Sequence, residues 1–442
     1  MRAIISLLAS SLVCVSAFGA ELDAALESIA KRAEVPATAV AILRAGEPPR
    51  FITFGADAGE HTLFRWGSIT KTFTAITLIK TARASNVSLQ SPLSDVAGAF
   101  DGQGTFAEPV RLIHLAELSA GMSDLTRRAF DDNRAYSLDQ ALRVHADSLK
   151  VRWSPGLHHS YSNATPGLAE WAIERMSGAG YASALAEQVF EPLGMRSASI
   201  LPDARLPGGY RPDGSEIPYW NMTFKAFGAL NASVADLARF AQALLERDPR
   251  LGGADLYERL YHPATGLAAA AGLRVGYAAG MYGRVRGGRV WHGHGGDADG
   301  YRSRFALLPD AGVGYVVVIN SDQPAVLRRM ERAIEAELTQ GLPKPVAVPV
   351  VAPDGLLAYS GRYGPITARW GFESRGSRAL DISVTERGVR VGSRQALHVG
   401  GGLLRRPDEP VATLALMCHE GIALLVGEMG AYAREGSCEK VK

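Results

Sequence analysis

Phe64-Arg65-Trp66-Gly67-Ser68-Ile69-Thr70-Lys71 is the stretch on which the fold turns. Gly67 permits a sharp turn. The chain from Ser68 to Ala84 is apolar on nearly every side, which predicts a buried helix rather than an amphipathic surface helix. Ser68 would open that helix, where the partial positive end of the helix favours negative charge on a hydroxyl. Lys71 lies one turn on, on the same face. An ammonium carried into a buried helix loses hydration, which lowers its pKa. A neutral amine there can take the Ser68 proton and create a nucleophile. Alone, Ser-x-x-Lys is a weak signal. It recurs as Ser28-Ile29-Ala30-Lys31, where a surface helix with a solvated lysine is expected.

Outward from this helix, Leu22–Glu34 has apolar residues at helical spacing. Ala37–Leu43 and Phe51–Gly55 read as a strand pair closed by the Gly46-Glu47-Pro48-Pro49 turn. Helices are expected at Val110–Leu118, Ser137–Ser148, Thr165–Met176, Tyr181–Val189 and Val234–Arg247. Strands return at Gly280–Val285, Arg289–His294, Ser303–Leu308 and Val313–Asn320, and a helix follows at Ala325–Leu338. Two outer segments sharing one sheet around a helical insert make an α+β layered plan. Residues 342–354 carry four prolines and read as a stiff linker. From 355 to 442, short alternating stretches such as Leu380–Val384 and Val389–Val391 predict a small all-β domain.

Composition narrows the function classes. The 442 residues carry 47 Lys+Arg against 45 Asp+Glu, a net charge of +2, with no surplus to neutralise a phosphate backbone. That argues against a nucleic-acid partner. Apolar residues make up 47% and mean hydropathy is +0.01, which fits a core-forming chain and excludes a polytopic membrane protein. Residues 1–20 read as a signal peptide: Met1-Arg2, an apolar run from Ala3 to Val15, then small residues around Gly19 and Ala20. The alternative is a retained N-terminal anchor. A periplasmic or secreted location is expected, with no membrane insertion after cleavage. Cys418 and Cys438 would then be an even pair in an oxidising compartment and form a disulfide.

Two further stretches carry chemistry. Tyr161-Ser162-Asn163 offers a phenol that can shuttle protons and an amide that both donates and accepts. Tyr-x-Asn recurs as Tyr219-Trp220-Asn221. Trp291-His292-Gly293-His294-Gly295-Gly296-Asp297-Ala298-Asp299 reads as a glycine-rich strand edge along which a substrate backbone can lie. A competing reading makes His292, His294, Asp297 and Asp299 metal ligands.

In their order, Ser68-x-x-Lys71, Tyr161-x-Asn163 and His294-Gly295-Gly296 resemble the serine β-lactamase and penicillin-binding-protein superfamily, in its class C-like branch. Pro155-Gly156, Pro192-Leu193-Gly194-Met195 and the run Gly228–Leu237 add to the resemblance, which covers Leu22 to Thr339. Tyr359-Ser360-Gly361-Arg362-Tyr363 resembles the start of the β-barrel-like domain appended to many members. The resemblance implies a β-lactamase/transpeptidase-like fold in residues 21–341: an antiparallel sheet flanked by helices plus an all-helical subdomain. It implies Ser68 as acylated nucleophile and Lys71 with Tyr161 as the proton-transfer pair. Asn163 would hold Lys71 and bind substrate amide. The N–H groups of Ser68 and Asp297 would form an oxyanion hole, with the strand of His294, Gly295 and Gly296 as one wall. No metal or organic cofactor is implied.

Many members carry Lys-Thr-Gly where this chain has His294-Gly295-Gly296. The lost ammonium and hydroxyl favour an esterase or D-amino-acid peptidase acting on a small ester, a D-amino-acid peptide or a peptidoglycan fragment. The alternatives are a β-lactamase, or a sensor that is acylated without turnover. His294 is expected to read a carboxylate conditionally, as imidazole protonates toward about pH 6. Arg302 and Arg304 lie just downstream, where either could restore a positive charge, but a surface role is the favoured reading of both. Trp370, Phe372 and the run Gly421–Val426 are expected in the core of the last domain.

Overall fold

Two neighbouring inner strands of the chain's main sheet, Thr38–Arg44 and Val313–Ile319, are apolar almost throughout, and both of their faces are buried. Continuous rather than alternating hydrophobicity is what a sheet covered on both sides requires. The computed structural model describes residues 20–55, 58–98, 101–367, 379–385, 388–427 and 430–438. The proposed signal segment at 1–19, Trp370 and Phe372 lie outside them.

The sheet has seven strands in the order Arg50–Phe54, Thr38–Arg44, Val313–Ile319, Tyr301–Leu308, Arg289–Ala298, Tyr282–Arg286, Gly276–Tyr277. Every pairing is antiparallel. One face is covered by the helix at 20–32 and by Pro324–Thr339, through Leu26, Met330 and Ile334 against Val40, Tyr315 and Val317. The other face packs on the helices Thr70–Ala84 and Val234–Glu246 and on the helical insert, through Phe73, Leu78, Phe240, Phe305 and Val316.

The helix Thr70–Ala84 buries twelve of its fifteen residues. Its threonines do not pay for this with unpaired hydroxyls where the site is built: Thr70 Oγ1 donates to Gly67 O at 2.7 Å and Thr72 Oγ1 to Gly280 O at 2.6 Å. Ser68 itself sits in a 3₁₀ turn, Gly67–Ile69, that leads into the helix. Elsewhere the expected helices are shorter. Leu112–Ala116 ends where Leu118 takes a positive φ of 49°, and Tyr181–Leu185 passes into a π-helical turn, Ala186–Phe190.

The strand Arg289–Ala298 runs four residues past the expected end at His294. Glycine disfavours strands by propensity, but here close approach dictates it. A Cβ on Gly293 would fall 2.1 Å from Phe305 O, and one on Gly296 would fall 1.7 Å from Trp66 O.

Eight strands from Gly361–Pro365 to Gly430–Ser437 close into a barrel. The apolar run Gly421–Val426 is one of its strands and serves two cores. Ala423 and Leu425 face the barrel interior with Tyr363, Leu404 and Leu416, whereas Leu424 and Val426 pack outward on Leu267 and Leu273. Cys418 and Cys438 are disulfide-bonded. The proline-rich segment is laid along the barrel: Val348 N donates to Pro410 O and Val351 N to His398 O.

Candidate active site

Gly67 takes a φ of +52°, and a Cβ there would lie 2.6 Å from Asp297 N. The turn therefore needs glycine twice over, for its dihedral and for the contact. The contact sets the Ser68 turn against the outer end of Arg289–Ala298. Ser303 Oγ reinforces it by donating to Trp66 O at 3.0 Å.

From this turn the Lys71 side chain reaches back. Nζ lies 3.0 Å from Ser68 Oγ, 2.7 Å from Asn163 Oδ1 and 2.8 Å from Phe227 O. Lys71 is buried, and its ammonium has three hydrogens for these three oxygens. Its Nζ stands 4.9 Å from the centre of the half-buried Tyr161 ring. The sequence-predicted Ser68, Lys71, Tyr161 and Asn163 are thus brought to one point.

Asn163 is oriented by a residue that sequence reading missed. Asp124 Oδ1 accepts Asn163 N at 2.7 Å and Leu125 N at 2.8 Å, and Oδ2 faces Asn163 Nδ2 at 3.3 Å. With its NH₂ turned to Asp124, the amide must present oxygen to Lys71. Ser162, between Tyr161 and Asn163, accepts from Ala164 N and Thr165 N at the start of the helix Thr165–Ser177. Phe227 O is presented by the turn Lys225–Phe227, whose Ala226 N donates to the buried Glu170 at 2.9 Å. Burial pushes the Glu170 carboxyl up to about 7.

The third stretch closes the site. Tyr282–Arg286 pairs with the strand Arg289–Ala298 only as far as Gly293, so beyond it that edge has no sheet partner among the described residues. His294 is buried among Tyr161, Tyr277 and Tyr282. Burial, and after it the charge of Lys71, hold its imidazole pKa well below the usual value. The neutral ring donates from Nδ1 to Gly295 O at 2.6 Å and turns Nε2 to the Tyr277 hydroxyl at 3.4 Å. The expectation that His294 protonates near pH 6 to read a carboxylate is therefore corrected: burial penalises the imidazolium and the neighbouring Lys71 charge opposes it further.

These groups border a cleft of about 670 Å³. Phe130, Trp220 and Phe227 form an aromatic side, with ring centroids 4.6 and 5.5 Å apart along the series. Trp220 is clamped through its backbone, since Arg65 donates to its carbonyl and Asp299 accepts its N–H. Arg302 and Arg304, expected on the surface, also border the cleft and are half-buried by ion pairs with Asp297 and Glu331 respectively.

A family model described as Beta-lactamase matches residues 22–340, most of the chain. The chain belongs to the beta-lactamase family. It is accordingly of the serine hydrolase type, and its fold is the β-lactamase/transpeptidase-like one. It is 28% identical over 324 residues to a human beta-lactamase-like protein, covering 66% of this chain and 62% of that one. It is 28% identical over 205 residues to a D-aminopeptidase of Brucella ovis, covering 44% of this chain and 39% of the other. It therefore spans less than two thirds of the length of these relatives. An octameric penicillin-binding protein homologue from Pyrococcus abyssi superposes with a TM-score of 0.62 at 20% identity, over 94% of this chain and 99% of that one.

Within this beta-lactamase-family site the duplicate motifs fall away. Lys31 is exposed and pairs with Glu27 at 2.8 Å, and Tyr219 lies over the Arg65 guanidinium at 4.0 Å. The competing metal set is dispersed: His292 packs on Tyr261, Asp299 pairs with Arg65 and Asp297 with Arg302. Among the described residues no group of three His, Cys, Asp or Glu is placed to hold a metal ion.

Proposed function

We propose that this chain is an exported hydrolase that works through a covalent acyl-enzyme on Ser68, cleaving an ester or an amide of the D-amino-acid type. The observation that carries the reading is Lys71 Nζ, 3.0 Å from Ser68 Oγ and fixed from behind by Asn163 Oδ1 and Phe227 O. Ser68 Oγ attacks the substrate carbonyl carbon. Its proton passes to the Lys71/Tyr161 pair and from there to the departing oxygen or nitrogen. The backbone N–H groups of Ser68 and Asp297 meet the developing oxyanion, a contribution that is usually large. Water then attacks the acyl carbonyl, the same pair takes its proton, and Ser68 recovers it as the acid leaves. The neutral, buried His294 and the bare Gly295 support ester or D-amino-acid substrates over penicillin-like ones, and so does the similarity to a D-aminopeptidase. The apolar N-terminal run and the Cys418–Cys438 bond support export.

The test is a panel of p-nitrophenyl esters, D-amino-acid amides and nitrocefin, read by turnover and by intact mass. Turnover of an ester or D-amide with a transient acyl adduct is expected. Fastest turnover on nitrocefin would replace the reading with a β-lactamase, and a stable adduct without turnover would replace it with a sensor. No adduct with any member would end it.

A further inference from the structure

The two ends of the C-terminal barrel are built differently. One end is filled by Leu356 and Tyr359, from the 3₁₀ turn Asp354–Tyr359, both wholly buried against the barrel interior. Strand register brings Pro365, Leu380, Val391, Leu414 and Tyr432 together at the other end. There Leu380, Val391, Leu414 and Tyr432 pack against the same interior, yet each stays half-buried. They line a cavity of about 280 Å³, with Leu425 on its wall and Arg406 as the one charged side chain among the described lining residues. An eight-stranded barrel is just wide enough for its side chains to fill it or for one small ligand to enter. This barrel is filled at one end and hollow at the other. A cavity walled by apolar side chains offers water few partners and accepts an apolar guest.

The hollow end meets the catalytic cleft. Thr367 borders both spaces. It is tied to the rim, since Ala431 N donates to its Oγ1 at 3.4 Å and the neighbouring Ile366 N donates to Ala431 O at 3.0 Å. Leu424, Val426 and Ala431 seat the barrel in this orientation by packing on Leu267 and Leu273 of the catalytic domain. We propose that the open end of the barrel is a second substrate subsite, which takes the apolar chain of an ester whose carbonyl lies at Ser68, the chain passing Thr367. The proposal rests on the reading of Ser68 as nucleophile and adds the substrate's apolar arm to it. One elongated molecule uses both spaces, because Thr367 is a wall of each.

The first test is kinetic and uses two matched pairs of esters. In one pair the chain is on the acyl side (p-nitrophenyl acetate against p-nitrophenyl octanoate), in the other on the leaving group (phenyl acetate against 4-hexylphenyl acetate). The readout is the long-to-short ratio of kcat/KM, below the micellar range. Wild type is expected to favour the long member of at least one pair. Val391→Trp fills the cavity and should lower that ratio by about tenfold or more, since each methylene left in water forfeits a factor of about four. Thr367→Trp, which narrows the passage, is measured beside it, with urea midpoints for both. The second test needs no variant. A dodecyl fluorophosphonate with a terminal diazirine is attached to wild type, the Ser68 oxygen bonding to phosphorus as fluoride leaves, and is then photolysed and peptide-mapped. The cross-link is expected on the barrel strands Leu380–Thr385, Gly388–Val391, Leu414–His419 or Ile422–Gly427. A cross-link confined to the catalytic domain would overturn the proposal. So would a ratio unmoved in the folded variants, or a wild type that prefers the short member of each pair. Failure of the underlying reading looks different: the phosphonate would then attach elsewhere than Ser68, or Ser68→Ala would hydrolyse all four esters as wild type does.

Discussion

Asp124→Asn is the sharpest probe of how this site is assembled. The substitution keeps shape and removes one charge. Asp124 Oδ1 takes two backbone N–H groups, from Asn163 and Leu125, at 2.7 and 2.8 Å. Those two donors will hold the amide oxygen of the new side chain in the Oδ1 position, so its NH₂ must stand where Oδ2 was. It then meets the Asn163 NH₂, formerly 3.3 Å from an acceptor, donor against donor. Asn163 relieves the clash by turning over, which points its own NH₂ at the Lys71 ammonium and removes one of that group's three acceptors. A hydrogen bond to a charged group is worth about 1.5–3 kcal/mol. At about 1.4 kcal/mol per decade, kcat should fall about ten- to hundredfold. Both backbone hydrogen bonds survive, so the urea midpoint should move by no more than about 1 kcal/mol equivalent. The assay is steady-state hydrolysis of a saturating p-nitrophenyl ester beside a urea titration. A folded Asp124→Asn variant with kcat within about threefold of wild type would refute this account of how Asp124 orients Asn163.

Burial and the neighbouring Lys71 hold His294 neutral, so its imidazole NMR signals should not titrate between about pH 8 and pH 5, a range that spans the ordinary histidine value. A midpoint near 6 would contradict the site's electrostatics. Folded Glu170 keeps its proton up to about 7, whereas an unfolded glutamate releases it near about 4.3. The folded state thus binds the extra proton in between, and stability should fall as pH rises from about 4.5 through 7, by on the order of 3 kcal/mol for this group. Glu170→Gln should remove about half of the measured fall, because burial also raises Glu117 to about 7. An unchanged slope of Tm against pH in the variant would count against it.

What the sequence makes legible here is what local spacing controls. Gly67-Ser68 and Lys71 lie within one turn, and the apolar helix that follows announces its burial. Tyr161 and Asn163 are read correctly only because their order along the chain matches a family pattern; taken alone they look the same as Tyr219 and Asn221. The supporting groups are contributed across long separations. Asp124 is 39 residues from Asn163, and the carbonyl of Phe227 is 156 from Lys71, with no spacing to mark either. Arg304 shows in the sequence only as a positive charge downstream of His294-Gly295-Gly296, not as a neighbour of Gly295. Its position follows from cross-strand register with Gly295 and from an empty Cβ site, and neither is visible in one dimension. The helix Ala254–Tyr261 escapes as well, since eight residues hold a helix only through burial of Leu256, Tyr257, Leu260 and Tyr261.

The central claim, that Ser68 is the acylated nucleophile, is met most directly by labelling with a fluorophosphonate, followed by intact mass and peptide mapping. Wild type should gain one adduct, on the peptide that contains Ser68, and Ser28→Ala should gain the same one. Ser68→Ala, with an unchanged urea midpoint, should gain none. An adduct that persists in folded Ser68→Ala, or that maps to any other residue in wild type, would contradict the account.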